Sequence, residues 1–145
     1  MAEESFTIRD AREEDLALID MYAGWAGMDA MPGIERIRVA VNAQDQPIGF
    51  CRLQDDAEGI AYVNPIVVYE PWRMHGVGRA LIEDARAIAG ELRLIARGES
   101  AGFYRTLGFE DMPWEIADLA AASEDCENCA YRAECNPVPM RLGAE

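Results

Sequence analysis

Apolar residues alternate with shorter or polar ones along Ile37-Arg38-Val39-Ala40-Val41, and the pattern resumes along Ile48-Gly49-Phe50-Cys51-Arg52-Leu53. This is the period of half-buried strands. The turn cluster Asn42 to Pro47 between them predicts an antiparallel hairpin. A second turn, Asp55 to Gly59, leads into a third run, Ile60 to Tyr69. Pro65 removes a ladder donor there and marks a bulge or the place where pairing stops. Upstream, Phe6 to Arg9 has strand character, and Asp10 with Glu13 fits a capping box for a first helix. On that helix Leu16, Ile19 and Ala23 would face inward, while Glu13, Glu14, Asp15 and Asp20 form a wet face. The stretch Met21 to Gly33 fits either a second short helix or a loose lid.

Helical spacing returns after a glycine loop. Val77, Leu81, Ala85 and Ile88 form one stripe, Arg79 and Glu83 an exposed pair, and Gly90 the C-terminal cap. Leu92 to Ala96 reads as the next strand, so Ile60 to Ala96 is a strand–helix–strand unit with parallel strands. Ser100 to Gly108 predicts a short helix with Phe103 and Leu107 on its buried side. Phe109 to Trp114 is then a strand, followed by a short Ala-rich helix and irregular chain to residue 136. Val138 to Leu142 is a last strand, with Pro139 at an edge or bulge. The expected class is α/β (α+β): a mixed, twisted sheet of about six or seven strands flanked by helices, in one domain over residues 1–145.

Composition narrows the class. The 145 residues are 28% charged and half apolar, with a formal charge of −14. Nucleic acid is a poor partner for such a field. No apolar run is long enough to span a bilayer, and the first residues lack a signal peptide's pattern, so the expected location is cytoplasmic. All 13 basic residues are Arg. An anionic ligand would therefore depend on local donors.

The loop Arg73-Met74-His75-Gly76-Val77-Gly78 supplies such donors. Its glycines let backbone approach a ligand closely, and the following helix start presents unpaired N–H groups and a positive dipole end. Ligands of strand–helix–strand units sit beyond the strands' C-terminal ends, where this loop lies. The spacing R-x-x-G-x-G is a weak signal alone, but Phe103-Tyr104-Arg105-Thr106-Leu107-Gly108-Phe109 follows one unit later. Together the two motifs, and the order of elements from Thr7 to Trp114, resemble the GNAT superfamily of acyl-CoA N-acyltransferases.

That resemblance implies an acetyl-CoA-dependent transfer of an acetyl group directly to a primary amine of a small molecule or peptide. The pyrophosphate would rest on the amides of Met74, His75, Gly76, Val77, Gly78 and Arg79, with Arg73 at the motif's first position. The backbone of Val67 and Val68 would pair with the pantetheine arm and help polarise the thioester. Met74 stands where the family often has Gly, a change tolerated if only backbone acts there. Tyr104 matches the family's frequent general acid, or it is packing; the expectation that Phe103 covers the buried face favours the catalytic role.

Glu70 and Glu99 are candidate bases beside the default of water, and His75, the one histidine, is read as contributing mainly backbone. Arg105 either reaches the phosphates or is an exposed helix cation. The acceptor site falls to Met21 to Gly33 and the C-terminal loop. Partners are acetyl-CoA, an amine and, at most, a second copy of the chain.

Cys126, Cys129 and Cys135 group within the segment at about residues 115–136 and form a candidate structural zinc site or redox dithiol, against free thiols. Three thiols are one ligand short of a closed site, and Cys51 completes it only if that loop folds back. The competing function is a non-catalytic thiol- or metal-sensing or protein-binding module on the same scaffold.

Overall fold

The computed structural model describes residues 5–121 and 132–145. Among them, seven strands form a mixed sheet: β1 (Thr7–Asp10), β2 (Ile37–Val41), β3 (Pro47–Asp55), β4 (Ala61–Val68), β5 (Leu92–Ala96), β6 (Glu110–Asp111) and β7 (Val138–Leu142). Their order is β1-β2-β3-β4-β5-β7-β6. The helices are α1 (Leu16–Trp25), α2 (Val77–Ala89), α3 (Gly98–Thr106) and the single turn α4 (Arg132–Cys135). The pairs β1–β2, β2–β3, β5–β7 and β6–β7 are antiparallel, and β4–β5 is parallel. The expected mixed sheet and α2 crossover are both present. Contacts divide the chain into two units, one up to Leu53 plus Pro65–Ala85, the other Gln54–Asn64 plus Arg86–Glu145.

In the first unit, Ile37, Val39 and Val41 of β2 share a buried cluster with Phe50, Val67 and the α1 residues Ile19, Tyr22 and Ala23. The alternation read from β2 is therefore a face covered by α1. Leu16 is only half-buried, and Tyr22 takes the core place instead. Asp10 ends β1 rather than capping the helix. A 3-10 turn, Glu13–Asp15, begins after Arg12, and the Asp15 carboxylate accepts from the Arg12 amide at 2.7 Å.

Asp15 is also not on a wet face. It is 3% exposed and accepts from Arg9 Nη1 and Nη2 at 2.7 and 3.1 Å, which explains how a charge can be buried there. Met21 to Gly33 is neither a second helix nor loose. α1 runs through Trp25, and the following chain is tied down by Met28 N–H to Ala23 O at 2.8 Å and Met31 N–H to Asp20 Oδ1 at 2.9 Å.

Helix α2 buries Val77, Leu81, Ile82 and Ala85, whereas Ile88 is exposed, so the inward stripe turns to Ile82 instead of continuing to the last turn. Gly90 has φ +80° and closes the helix with its N–H on Arg86 O, as expected of the cap.

In the second unit the parallel ladder registers Ala61 with Leu92 and Tyr62 with Arg93, and ends ahead of Pro65, as the missing donor suggested. Strand β5 pairs along its length with β7, which lies inside the sheet rather than at an edge. Pro139 is tolerated there for a geometric reason. Its carbonyl accepts from Met112 N–H at 2.9 Å, so its missing N–H faces the same side, where the two-residue β6 has already ended. The strand expected through Trp114 stops at Asp111, and Pro113 leads into a 3-10 turn, Trp114–Ile116. Beyond it the chain turns without helix as far as Ala121.

Tyr62 is fully buried with Met112 and Ala121, and its hydroxyl accepts from Asp118 N–H at 2.8 Å. Gly98 has no room for a side chain, because a Cβ would lie 2.7 Å from Asn136 O and 3.0 Å from Cys135 O.

Candidate active site

The first unit holds the sequence-predicted ligand loop from Val67 to Arg79. Val67 is buried and Val68 half-buried at the end of β4, and Tyr69 N–H continues to Ile48 O at 2.8 Å. A 3-10 turn, Glu70–Trp72, carries the chain away, and Arg73 N–H closes it on Glu70 O at 3.0 Å. Two left-handed residues then reverse the backbone: Met74 at φ +68° and Gly76 at φ +80°.

Glycine adopts that conformation freely, while for methionine it costs roughly 1–2 kcal/mol. The substitution at Met74 therefore carries a backbone cost beyond what the sequence suggested. Its side chain points wholly into solvent, so it obstructs nothing on the chain.

The first regular helical bond is Ala80 N–H to Gly76 O at 3.0 Å. Ahead of it, the N–H groups of Met74, Gly76, Val77, Gly78 and Arg79 donate to no acceptor among the described residues. Arg73 and Arg79 are exposed, and neither makes an ion pair among the described residues, so the expected Arg79–Glu83 pair is not formed. His75 Nδ1 lies 2.9 Å from Arg73 O; as that oxygen can only accept, Nδ1 carries the proton. The ring also packs on Trp72, which holds the loop's crest.

Gly49 was not legible as a site residue. A Cβ there would stand 3.0 Å from Val67 O, 3.3 Å from Val77 Cγ1 and 3.4 Å from Val68 Cα. Only glycine lets β3 lie so close to the end of β4 and the start of α2. Three aromatic rings were likewise missed as a group. Tyr22 and Tyr69 stack at 5.0 Å, and Tyr69 and Trp25 at 6.0 Å.

Tyr104 belongs to the second unit. It is half-buried on α3 and meets Phe109 edge-on at 5.5 Å and Phe103 at 5.3 Å. Phe103 is 46% exposed and Leu107 only half-buried, contrary to the expected inward side; the one buried residue of α3 is Ala101. Phe103 therefore does not fill the core in place of Tyr104, and packing gives no support to a catalytic Tyr104. Arg105 forms a fork with Asp111 at 3.0–3.1 Å, which fits the helix-cation reading with a partner the spacing did not reveal. Glu70 and Glu99 are both exposed.

Of the proposed zinc ligands, Cys126 and Cys129 lie outside the described residues, and Cys135 is a half-buried free thiol. Among the described residues no group of three or more His, Cys, Asp or Glu could hold a metal. Cys51 is buried on β3, and burial, with the Asp84 charge behind it, pushes its thiol up to about 12. No helix among the described residues is long and apolar enough to cross a membrane.

A mixed sheet whose crossover helix begins with amides that donate to no acceptor among the described residues defines the α/β class of this protein. The chain belongs to the GNAT acetyltransferases: the family model described as an acetyltransferase (GNAT) domain matches residues 34–111. The enzyme class is N-acetyltransferase. The chain is 28% identical to the uncharacterized N-acetyltransferase CT2212 of Chlorobaculum tepidum, over 92% of this chain and 93% of that one. It is 40% identical to the peptidyl-lysine N-acetyltransferase YjaB of Escherichia coli, over 50% of this chain and 48% of that one. Its fold resembles that of Rv2747 from Mycobacterium tuberculosis, solved with CoA and NLQ, at a TM-score of 0.75 and 14% identity over 96% of this chain and 99% of that one.

Proposed function

We propose that residues 1–145 act as one domain that transfers the acetyl group of acetyl-CoA directly to a primary amine. The observation that carries the reading is the set of undonated amides of Met74, Gly76, Val77, Gly78 and Arg79 at the start of α2, flanked by two cations without ion pairs among the described residues. Such a set suits a pyrophosphate: N–H groups and the helix dipole meet it, and Arg73 and Arg79 add charge locally against a chain carrying −14 overall. The amides of Met74, His75, Gly76, Val77, Gly78 and Arg79 hold the phosphates. Gly49 keeps the Val67 and Val68 backbone against β3 in the place where it can align the pantetheine arm.

In the transfer, the neutral amine nitrogen bonds to the acetyl carbon and the carbon–sulfur bond breaks. The thiolate leaves and takes a proton, and the amine's own proton passes to water. Tyr104 is the proposed donor to the thiolate, on the strength of its place in the Phe-Tyr-x-x-x-Gly-Phe motif. The relative named as a peptidyl-lysine N-acetyltransferase supports an amine on an alkyl stem as the acceptor. Thiol sensing gains nothing from Cys51, whose raised pKa and burial make it inert.

Calorimetric titration of the purified chain with acetyl-CoA tests the reading. Saturable one-site binding that is lost in Gly78→Trp is expected. An absence of heat with the folded wild-type chain rejects it.

A further inference from the structure

Trp25 is the last residue of α1, and its ring is 66% exposed. Exposed as it is, the ring has aromatic partners. It stacks on Tyr69 at 6.0 Å and 26° and touches Tyr22 at 5.8 Å. Tyr22 is buried, stacks beneath Tyr69 at 5.0 Å and 20°, and donates its hydroxyl proton to Pro47 O at 2.8 Å. The result is a layered platform with a fixed base and an open upper face. Met21, one turn before Trp25 on α1, adds a 41% exposed apolar side chain.

The place of this platform in the chain gives it meaning. Tyr69 directly follows Val68, whose backbone aligns the thioester in the proposed function, so the platform adjoins in the chain the strand end assigned to the thioester. We infer that Trp25 and Tyr69, with Met21, bind the acceptor and select a primary amine carried on an unbranched alkyl stem, as in a lysine side chain. The stem lies across Trp25 and Met21, covering apolar surface that water otherwise wets. The ammonium head is drawn to the aromatic faces as it arrives, then loses its proton to water beyond Tyr69 before attack. A chain of charge −14 favours such a cation over an amine bearing a neighbouring carboxylate. Exposure, stacking on Tyr69 and continuity with Val68 together distinguish this from a stray surface aromatic.

This inference rests on the proposed acetyl-CoA reading, and the experiment separates the two. Steady-state kinetics are measured with a peptide whose only amine is one lysine side chain, and with ethylamine, whose stem is too short to lie across the platform. Trp25→Ala is expected to raise KM for the lysine peptide about tenfold, with kcat and calorimetric acetyl-CoA affinity unchanged and KM for ethylamine unmoved. Trp25→Phe should recover most of the loss. An unchanged KM in Trp25→Ala, or an equal loss with both amines, overturns the platform. So does a wild type that binds acetyl-CoA and fails to acetylate the lysine peptide. Failure to bind acetyl-CoA at all rejects the underlying function, and the platform with it.

Discussion

Arg38 on β2 grips Asp84 on α2 through two parallel hydrogen bonds, Nε to Oδ2 at 2.9 Å and Nη2 to Oδ1 at 2.8 Å. Both side chains are mostly covered, at 24% and 19% exposure, and Arg38 Nη1 also reaches Asp10 at 3.0 Å. The pair ties β2 to the helix whose first turn presents the undonated amides. Arg38→Ala should cost about 2 kcal/mol in a denaturant melt, between the values for exposed and buried pairs. Acetyl-CoA affinity should fall with it. Arg38→Lys should restore little, because an ammonium cannot make both bonds at once.

Gly49→Ala tests the close packing behind the loop. The added Cβ stands 3.0 Å from Val67 O, a backbone atom that cannot rotate away. A loss of about 1–3 kcal/mol in stability is expected. The more informative readout is calorimetry, where acetyl-CoA should bind more weakly because the end of β4 is pushed aside; unchanged affinity removes Gly49 from the site.

Asp15 predicts a pH effect of definite sign. Burial pushes its carboxyl up, but hydrogen bonds from Arg9 and from the Arg12 amide, with both arginine charges, outweigh burial and leave the pKa below its ordinary value of 3.8. A depressed carboxyl pKa contributes stability that is complete above 3.8 and lost as pH falls through the lower folded value. Asp15→Asn should therefore be less stable than wild type at neutral pH by about 2 kcal/mol. The gap should close in acid melts below 3.8; a gap independent of pH would contradict the assignment.

Cys51 should resist alkylation. It is 1% exposed with its thiol pushed up to about 12, so thiolate is scarce and shielded at pH 8. Peptide mapping after iodoacetamide treatment should find Cys51 unmodified in native protein and modified in denaturant. Rapid native labelling would reopen a redox role.

Tyr104→Phe removes the proposed proton donor while keeping the ring that packs on Phe109. A fall in kcat of about 10²-fold or more at neutral pH is expected, with acetyl-CoA affinity intact. Unchanged turnover with unchanged stability would leave Tyr104 a packing residue.

Much of this molecule is written in local pattern. The alternation at Ile37 to Val41, the helical stripe beginning at Val77, Gly90 at its cap and the glycine loop between β4 and α2 depend on near neighbours along the chain. Period and turn chemistry therefore sufficed for them. The family resemblance rested on two motifs of the same kind. Patterns weakened where only one or two residues decided. Ile82 rather than Ile88 faces inward, Phe103 lies outside, and Pro139 sits within the sheet because its missing donor faces a strand that has already stopped.

Other features join residues that local pattern cannot relate. Asp15 became buried because Arg9 and the Arg12 amide converge on it, and Arg38 found Asp84 46 positions away. Gly49 matters through atoms of Val67 and Val77, and the platform draws Tyr22 and Trp25 from α1 and Tyr69 from beyond β4. Periodicity reports which face of an element is apolar; it carries no record of which distant backbone atom or ring will occupy that face. The sequence by itself determined most of the strands and helices, the glycine loop ahead of α2 and the family. Tertiary packing decided which charges are paired, which glycine lies against the end of β4, and which aromatic rings stack beside it.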